Sequence, residues 1–518
     1  MRIGLRGALT CATVSALVLT MYGAWAAPGE AAARHRVTPA WTGFANDAQH
    51  TGNARYTPQP LDRVHWHATV DFKPPKLGDS GSIAHYATPM ITRRNTVVVP
   101  TRLGPHRGFD LVARRGSDGS VVWRTHTDYQ VPVSAQDQWP PPLPATLVDD
   151  SHVAVAASGG TVLVRTRVNG TAGHVRRIAF YGLDRWRAHR AAYARTVQIT
   201  TPLTVGPDGS LYFGFSAARG APGHLRNGLA KIDMSGHARW VSASRLAGTT
   251  RRAAVALNAA PALSNDGGTG YTAVVVGSAR PYLVSFRTPR LAPAHHALLH
   301  DPQTGHLALV FGSSSATPTV GPDGDVYFGV LGNPIATHDN RGWLLHYNAR
   351  LSRLRTPGSF GWDQTVSVVP ATSVPSYTGG SSYLLVSKYN NYLGAGPSGD
   401  GENEIALLDP HAAQLDEYSS VDVMAEVSAV QSPTHQPGAP PDATYEWCIN
   451  SVAIDPATGV ALANNEDGHL YLWDLDTGQL TQDIRLTDPR GQAYTMTVVG
   501  PDGTAYAIAD ATLYAVGS

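Results

Sequence analysis

Three carboxylates alternate in Asp400-Gly401-Glu402-Asn403-Glu404, so an extended backbone would carry all three to one side. Oxygen ligands so spaced suit Ca²⁺, but the D-x-D-x-D-G loop is absent and a solvated acidic loop is the simpler reading. Asp363 and Glu446 make a second carboxylate pair, suited either to a cation or acid–base work, or to capping strand backbones. Gln364, Tyr389, Asn390, Asn391, Asn450, Asn464, Glu466 and Asp467 complete the candidate ligand contacts, although Asn464 to Asp467 reads equally as a polar turn. His65 and His67 face one way on a strand, but no cluster of further ligands completes a tetrahedral metal set. The chain has no G-x-S-x-G elbow, phosphate-binding P-loop or H-E-x-x-H helix, so those chemistries lack their signal.

What must position these residues is a repeated hairpin. Thr317-Pro318-Thr319-Val320-Gly321-Pro322-Asp323-Gly324-Asp325-Val326-Tyr327-Phe328-Gly329 recurs almost letter for letter from Thr201 to Gly214, and again from Thr497 to Ala507. Proline presets its own φ and the last glycine accepts a positive one, so Gly-Pro-Asp-Gly reads as a tight turn between two strands. Similar units begin near positions 88, 144, 201, 260, 317, 365, 450 and 497. Units of about four short strands at such spacing predict an all-β, eight-bladed β-propeller, with seven blades the alternative. The last unit offers only three strands, and Val64 to Val70 has no hairpin partner nearby; it is expected to close the last blade. The sixth unit carries a long insertion at about 389–446. Asp363, Gln364, Glu446 and Asn450 fall where loops enter first strands, which places them at the channel mouth.

Charged residues are 15% of the 518, and Gly (52) and Pro (37) are abundant, a mix that suits strands and turns rather than long helices. Arg2 and Arg6, an apolar stretch from Ala8 to Tyr22 and Ala24-Trp25-Ala26 read as a signal peptide over 1–26, with a flexible leader over 27–40. Removing that peptide leaves 38 basic against 39 acidic residues, with no basic block of the kind nucleic acid requires. Cys448 then stands alone, so no internal disulfide forms. A secreted or periplasmic monomer is expected, with no transmembrane helix once the signal is cleaved.

The Thr-Pro first strands, the Gly-Pro-Asp-Gly hairpins and the turn Asp474-Leu475-Asp476-Thr477-Gly478 resemble those of the PQQ-like, or quinoprotein-type, propeller superfamily. Gly119 and Gly236 are each followed four residues later by Trp123 and Trp240, similar to that family's tryptophan-docking pattern. The resemblance implies one propeller over 41–518. Its quinone-dependent dehydrogenases often carry a vicinal cysteine pair, which this chain lacks, so PQQ is not expected; Ca²⁺ is the one cofactor left open. The family's scaffold members imply instead a binding protein, taking a protein, small-molecule or carbohydrate ligand at the propeller face. A quinone- or Ca²⁺-dependent oxidoreductase of alcohols or sugars, working in the funnel, is the alternative.

Overall fold

The computed structural model describes residues 36–74, 86–104, 108–131, 143–311, 316–447, 449, 451–489 and 495–518. The expected signal peptide, Cys448 and Asn450 lie outside them. The chain divides into Met1–Arg36 and Val37–Ser518, and the second unit alone is considered below.

Eight antiparallel sheets succeed one another and form an eight-bladed propeller. Blade 1 steps outward through Met90–Ile91, Thr96–Arg102, Phe109–Arg115 and Val121–Thr127. The signature hairpin opens blade 5, where Thr319–Val320 pairs with Val326–Val330 and that strand with Trp343–Tyr347. Its turn closes as the sequence dictates. Gly324 N donates to Gly321 O at 2.9 Å with Gly324 at φ 88°, and Asp323 Oδ1 accepts Asp325 N at 3.0 Å. Asp208 and Asp502 accept the backbone N–H two residues on in the same way. These aspartates are turn residues.

In blades 3 and 4 the inner strand is broken in two. Val197–Ile199 and Thr204–Val205 both pair with Leu211–Ala217, while Ala253–Val255 and Ala262–Leu263 both pair with Thr269–Val276. Pro202 and Pro261 lie in the gaps and have no N–H to give a ladder. These blades therefore start earlier than the repeat suggests. Two short helices, Leu183–Ala188 and Arg190–Thr196, precede blade 3 and had no amphipathic signal long enough to announce them. In blade 6, much of the apparent insertion is two long outer strands, Glu404–Leu415 and Asp422–Gln431.

The ring is closed by Arg63–Thr69, which pairs with Thr512–Gly517 from Arg63↔Gly517 to Thr69↔Thr512 and bulges between Val64 and Trp66. Joining the two ends removes a free sheet edge in return for one loop-closure entropy. The closing strand also staples blade 8 to blade 1: Trp66 Nε1 donates to Gly116 O at 2.7 Å. One blade on, Trp123 Nε1 donates to Val168 O at 2.6 Å, with Arg165 stacked over its ring at 4.1 Å.

Candidate functional site

Residues 41–59 contact the inner portion of every blade. Trp41 exchanges two 2.9 Å backbone bonds with Ile91 of blade 1, and Thr42 O accepts Leu147 N of blade 2. His50 reaches Thr204 of blade 3, and Ala48 O, Gln49 O and Thr51 O accept Leu263 N, Val320 N and Val368 N of blades 4, 5 and 6. Ala54 N donates to Ile454 O of blade 7, and Gln59 N to Gly503 O in the turn of blade 8. The segment thus crosses the channel on the side of the hairpin turns. A β-carbon at Gly52 would stand 2.7 Å from Val452 O, and the residue is at φ 72°, so only glycine passes there. Its partners are scattered over eight units, which a reading along the chain does not show.

The opposite mouth gathers the inter-blade loops and the second-to-third-strand loops, with most of the expected residues. Gln364 Nε2 donates to Phe360 O and Ser387 Oγ, and its Oε1 accepts Lys388 N at 2.7 Å. Asn390 brackets Trp447, accepting its N–H at 3.1 Å and donating to its carbonyl at 3.3 Å. Asn391 donates to Ser398 O and Asp400 Oδ1, and Asp400 Oδ1 also accepts Glu402 N. Asn464 binds Thr497 Oγ1 and Ile508 O. Asp467 accepts Thr434 Oγ1 and Tyr471 OH. Glu466 N donates to Glu446 O, while Asp363 is buried with φ 54°. The structure therefore brings together Tyr389, Asn390, Asn391 and Asp400, and separately Glu446 with Glu466; Asn464 bonds instead to Thr497 and Ile508, and Asp467 to Thr434 and Tyr471. Among the described residues, no three His, Cys, Asp or Glu side chains are grouped to hold a metal ion.

The residue that organises the Tyr389 group is one that sequence reasoning missed. Arg341 is fully buried; Nη1 donates to Tyr389 O at 3.0 Å and Asn390 O at 2.8 Å, and Nε to Ser359 O at 3.1 Å. The rings of Tyr389 and Tyr418 lie 4.6 and 4.5 Å from its guanidinium carbon. Burial and the charge of Glu426 push the Glu404 carboxyl up to about 7, against the opposing pull of Arg341. Beside it, His338 Nε2 lies 3.2 Å from Asp416 Oδ2, His338 stacks on Trp343 at 3.9 Å, and Ser359 Oγ donates to Asp416 Oδ1. His338 and Ser359 share one carboxylate, and all three side chains are buried, so the trio is a packed polar core. Arg341 carried no signal: it is a lone cation among ordinary loop letters.

A cleft of about 480 Å³ opens between blades 3 and 4. Its apolar lining includes Phe215, Val255, Val275, Val310 and Phe311, and its polar lining Arg195, Gln198, Asn227 and Arg252. Phe311 is 40% exposed and meets Trp362 edge-on at 6.4 Å. No carboxylate is among the described residues that line this cleft.

No family model matches the chain, and no curated protein sequence is similar to it. In three dimensions it is similar to a europium-containing methanol dehydrogenase, with a TM-score of 0.56 at 10% identity, over 90% of this chain and 89% of that one. It is also similar to the quinohemoprotein alcohol dehydrogenase of Comamonas testosteroni, with a TM-score of 0.53 at 10% identity, over 93% and 81% of the two chains. The likeness is one of fold: an eight-bladed β-propeller. Saccharomyces cerevisiae Sqt1 aligns with this propeller at a TM-score of 0.50 and 10% identity, over 89% of this chain and all (100%) of that one. At such identities the likeness concerns the fold and leaves activity to the site.

Proposed function

We propose that the protein is an exported propeller that binds a ligand or partner on its loop-bearing face and carries no catalytic redox centre in its channel. The observation that carries this reading is a division of labour among polar side chains. At the mouth, Gln364, Asn390, Asn464 and Asp467 are tied into the frame by hydrogen bonds to backbone and neighbouring side chains. In the cleft between blades 3 and 4, polar and apolar residues together line a half-open volume of ligand size. The names of two structural neighbours raise a quinone and a metal ion as alternatives. Gln364, Asn390 and Asn464 offer such groups little, because their amides already hold protein partners. Freeing a buried amide from its partners costs about 1–3 kcal/mol each.

Among the described residues, no helix is long and apolar enough to cross a membrane. Export rests on Arg2, Arg6, the apolar run and Ala24-Trp25-Ala26, with cleavage after Ala26. Mixing the purified protein with PQQ and Ca²⁺, and assaying dye reduction with alcohols and sugars, tests the reading. No quinone band and no turnover are expected; a stable complex or turnover overturns it. N-terminal sequencing of exported protein should begin at Ala27.

A further inference from the structure

We infer that the cleft between blades 3 and 4 is a binding site for a small anion with an apolar body, of the aryl or alkyl carboxylate or sulfonate class. The inference rests on the binding reading above and gives it a place and a chemistry. Arg195, in the last turn of the helix Arg190–Thr196, and Arg252, just before the strand Ala253–Val255, bring two cationic side chains to one cleft from separate elements. Neither guanidinium has an ion pair or hydrogen bond among the described residues. Elsewhere Arg102, Arg177 and Arg355 each take a carboxylate within 3.5 Å. A guanidinium presents paired N–H donors to a planar carboxylate and is weakly hydrated, so it suits an anion at the rim of an apolar hollow.

The apolar part of the lining sets the rest of the ligand. Val275 and Val310 are partly buried and Phe311 is 40% exposed, so these three carry the accessible apolar surface, with buried Phe215 behind them. With no Asp or Glu among the described lining residues, a cation gains nothing there. An uncharged apolar ligand leaves both arginines unpaired. An apolar-bodied anion satisfies both kinds of lining residue at once.

The test uses purified full-length protein and two fluorescent probes, 8-anilinonaphthalene-1-sulfonate and its uncharged parent N-phenyl-1-naphthylamine. The sulfonate should bind saturably at one site and be displaced by decanoate or benzoate. Arg195→Gln with Arg252→Gln should weaken it tenfold or more, and Phe311→Ser severalfold, while added salt weakens the wild type but scarcely the double variant. Thermal midpoints within a degree or two of wild type would show that these surface variants remain folded. Absence of saturable binding, equal binding of the uncharged probe, or an affinity unchanged in the double variant would each overturn the inference. Because the readout is probe affinity, these results are separate from dye reduction: turnover with PQQ sinks the functional reading, and a flat titration sinks only the cleft.

Discussion

His50 Nδ1 lies 2.8 Å from the carbonyl oxygen of Pro318, so an N-terminal side chain binds the first strand of the signature repeat across 268 residues of sequence. A carbonyl only accepts, so Nδ1 carries the proton and Nε2 is left to accept from Thr204 Oγ1 at 3.4 Å. One neutral imidazole thereby ties blades 3 and 5 to the segment that crosses the channel.

Acid should loosen this tie. Burial lowers the His50 pKa from 6.5 to about 4, so between those values the unfolded chain binds a proton that the folded one refuses. The stabilisation is present above 6.5 and is lost as the pH falls through about 4. A shift of that size corresponds to about 3 kcal/mol. Asp47 in the same segment moves the other way, since burial raises its carboxyl, so the His50 contribution is read as a difference between two proteins. Denaturant unfolding of wild type and His50→Gln should show a steeper acid decline in the wild type between pH 6.5 and 4. Parallel curves would refute the assignment.

The closing strand makes a second prediction. Trp66 is half-buried over the blade 1 turn and hydrogen-bonded to Gly116 O. Trp66→Ala loses packing and the indole bond together, and should lower stability by about 2 kcal/mol. Trp66→Phe should recover more than half of that loss in the same melts, because the ring still covers Gly119. If both variants melt like wild type, the strand does not hold the ring closed.

A third test concerns the contact between neighbouring repeats. Tyr383 OH donates to Asp323 Oδ1 at 2.9 Å and lies 2.6 Å from Tyr327 OH, so blade 6 grips both the turn and the second strand of blade 5. Tyr383→Phe leaves Asp323 short of a donor and Tyr327 OH short of an acceptor, and should cost about 1–2 kcal/mol. Asp323→Asn should cost less, because an amide oxygen still accepts from both the tyrosine and Asp325 N. Denaturation midpoints in that order support the staple; the reverse order would place the weight on the turn itself.

These contacts show what a sequence of this kind reveals. Gly321-Pro322-Asp323-Gly324 is legible because turn geometry is local: its φ values and Asx bond involve residues within four positions. Blade count and the closing strand are legible because repetition exposes the one unit short of a strand. Pro202 and Pro261 were visible too, but not that strands would continue on both sides of each gap. The mouth is another matter. Gln364, Asn390 and Asp467 look alike as letters, and only three-dimensional neighbours decide whether an amide is a ligand or a brace. Arg195 and Arg252, 57 positions apart in different units, share a cleft only because helix and strand are stacked by the ring.

Arg341 makes the last prediction. Its charge is buried among backbone carbonyls and two tyrosine rings, with Glu404 and Glu426 near enough to influence one another. Arg341→Met removes the cation and leaves those carbonyls and carboxylates uncompensated, and should cost about 3–5 kcal/mol. Glu404 marks the loss by its pH dependence. Its carboxyl is raised from 4.5 to about 7 by burial and by Glu426, so its favourable contribution is complete below 4.5 and fades as the pH rises through 7. Glu404→Gln should therefore flatten the decline in stability from pH 4.5 to 8, and in the Arg341→Met background it should restore part of the lost stability. Chemical denaturation of the four proteins in this cycle measures the coupling directly. Simple additivity would mean that Arg341 acts through the carbonyls and rings alone. A non-additive recovery, growing as the pH rises, would show that the cation is there to hold Glu404.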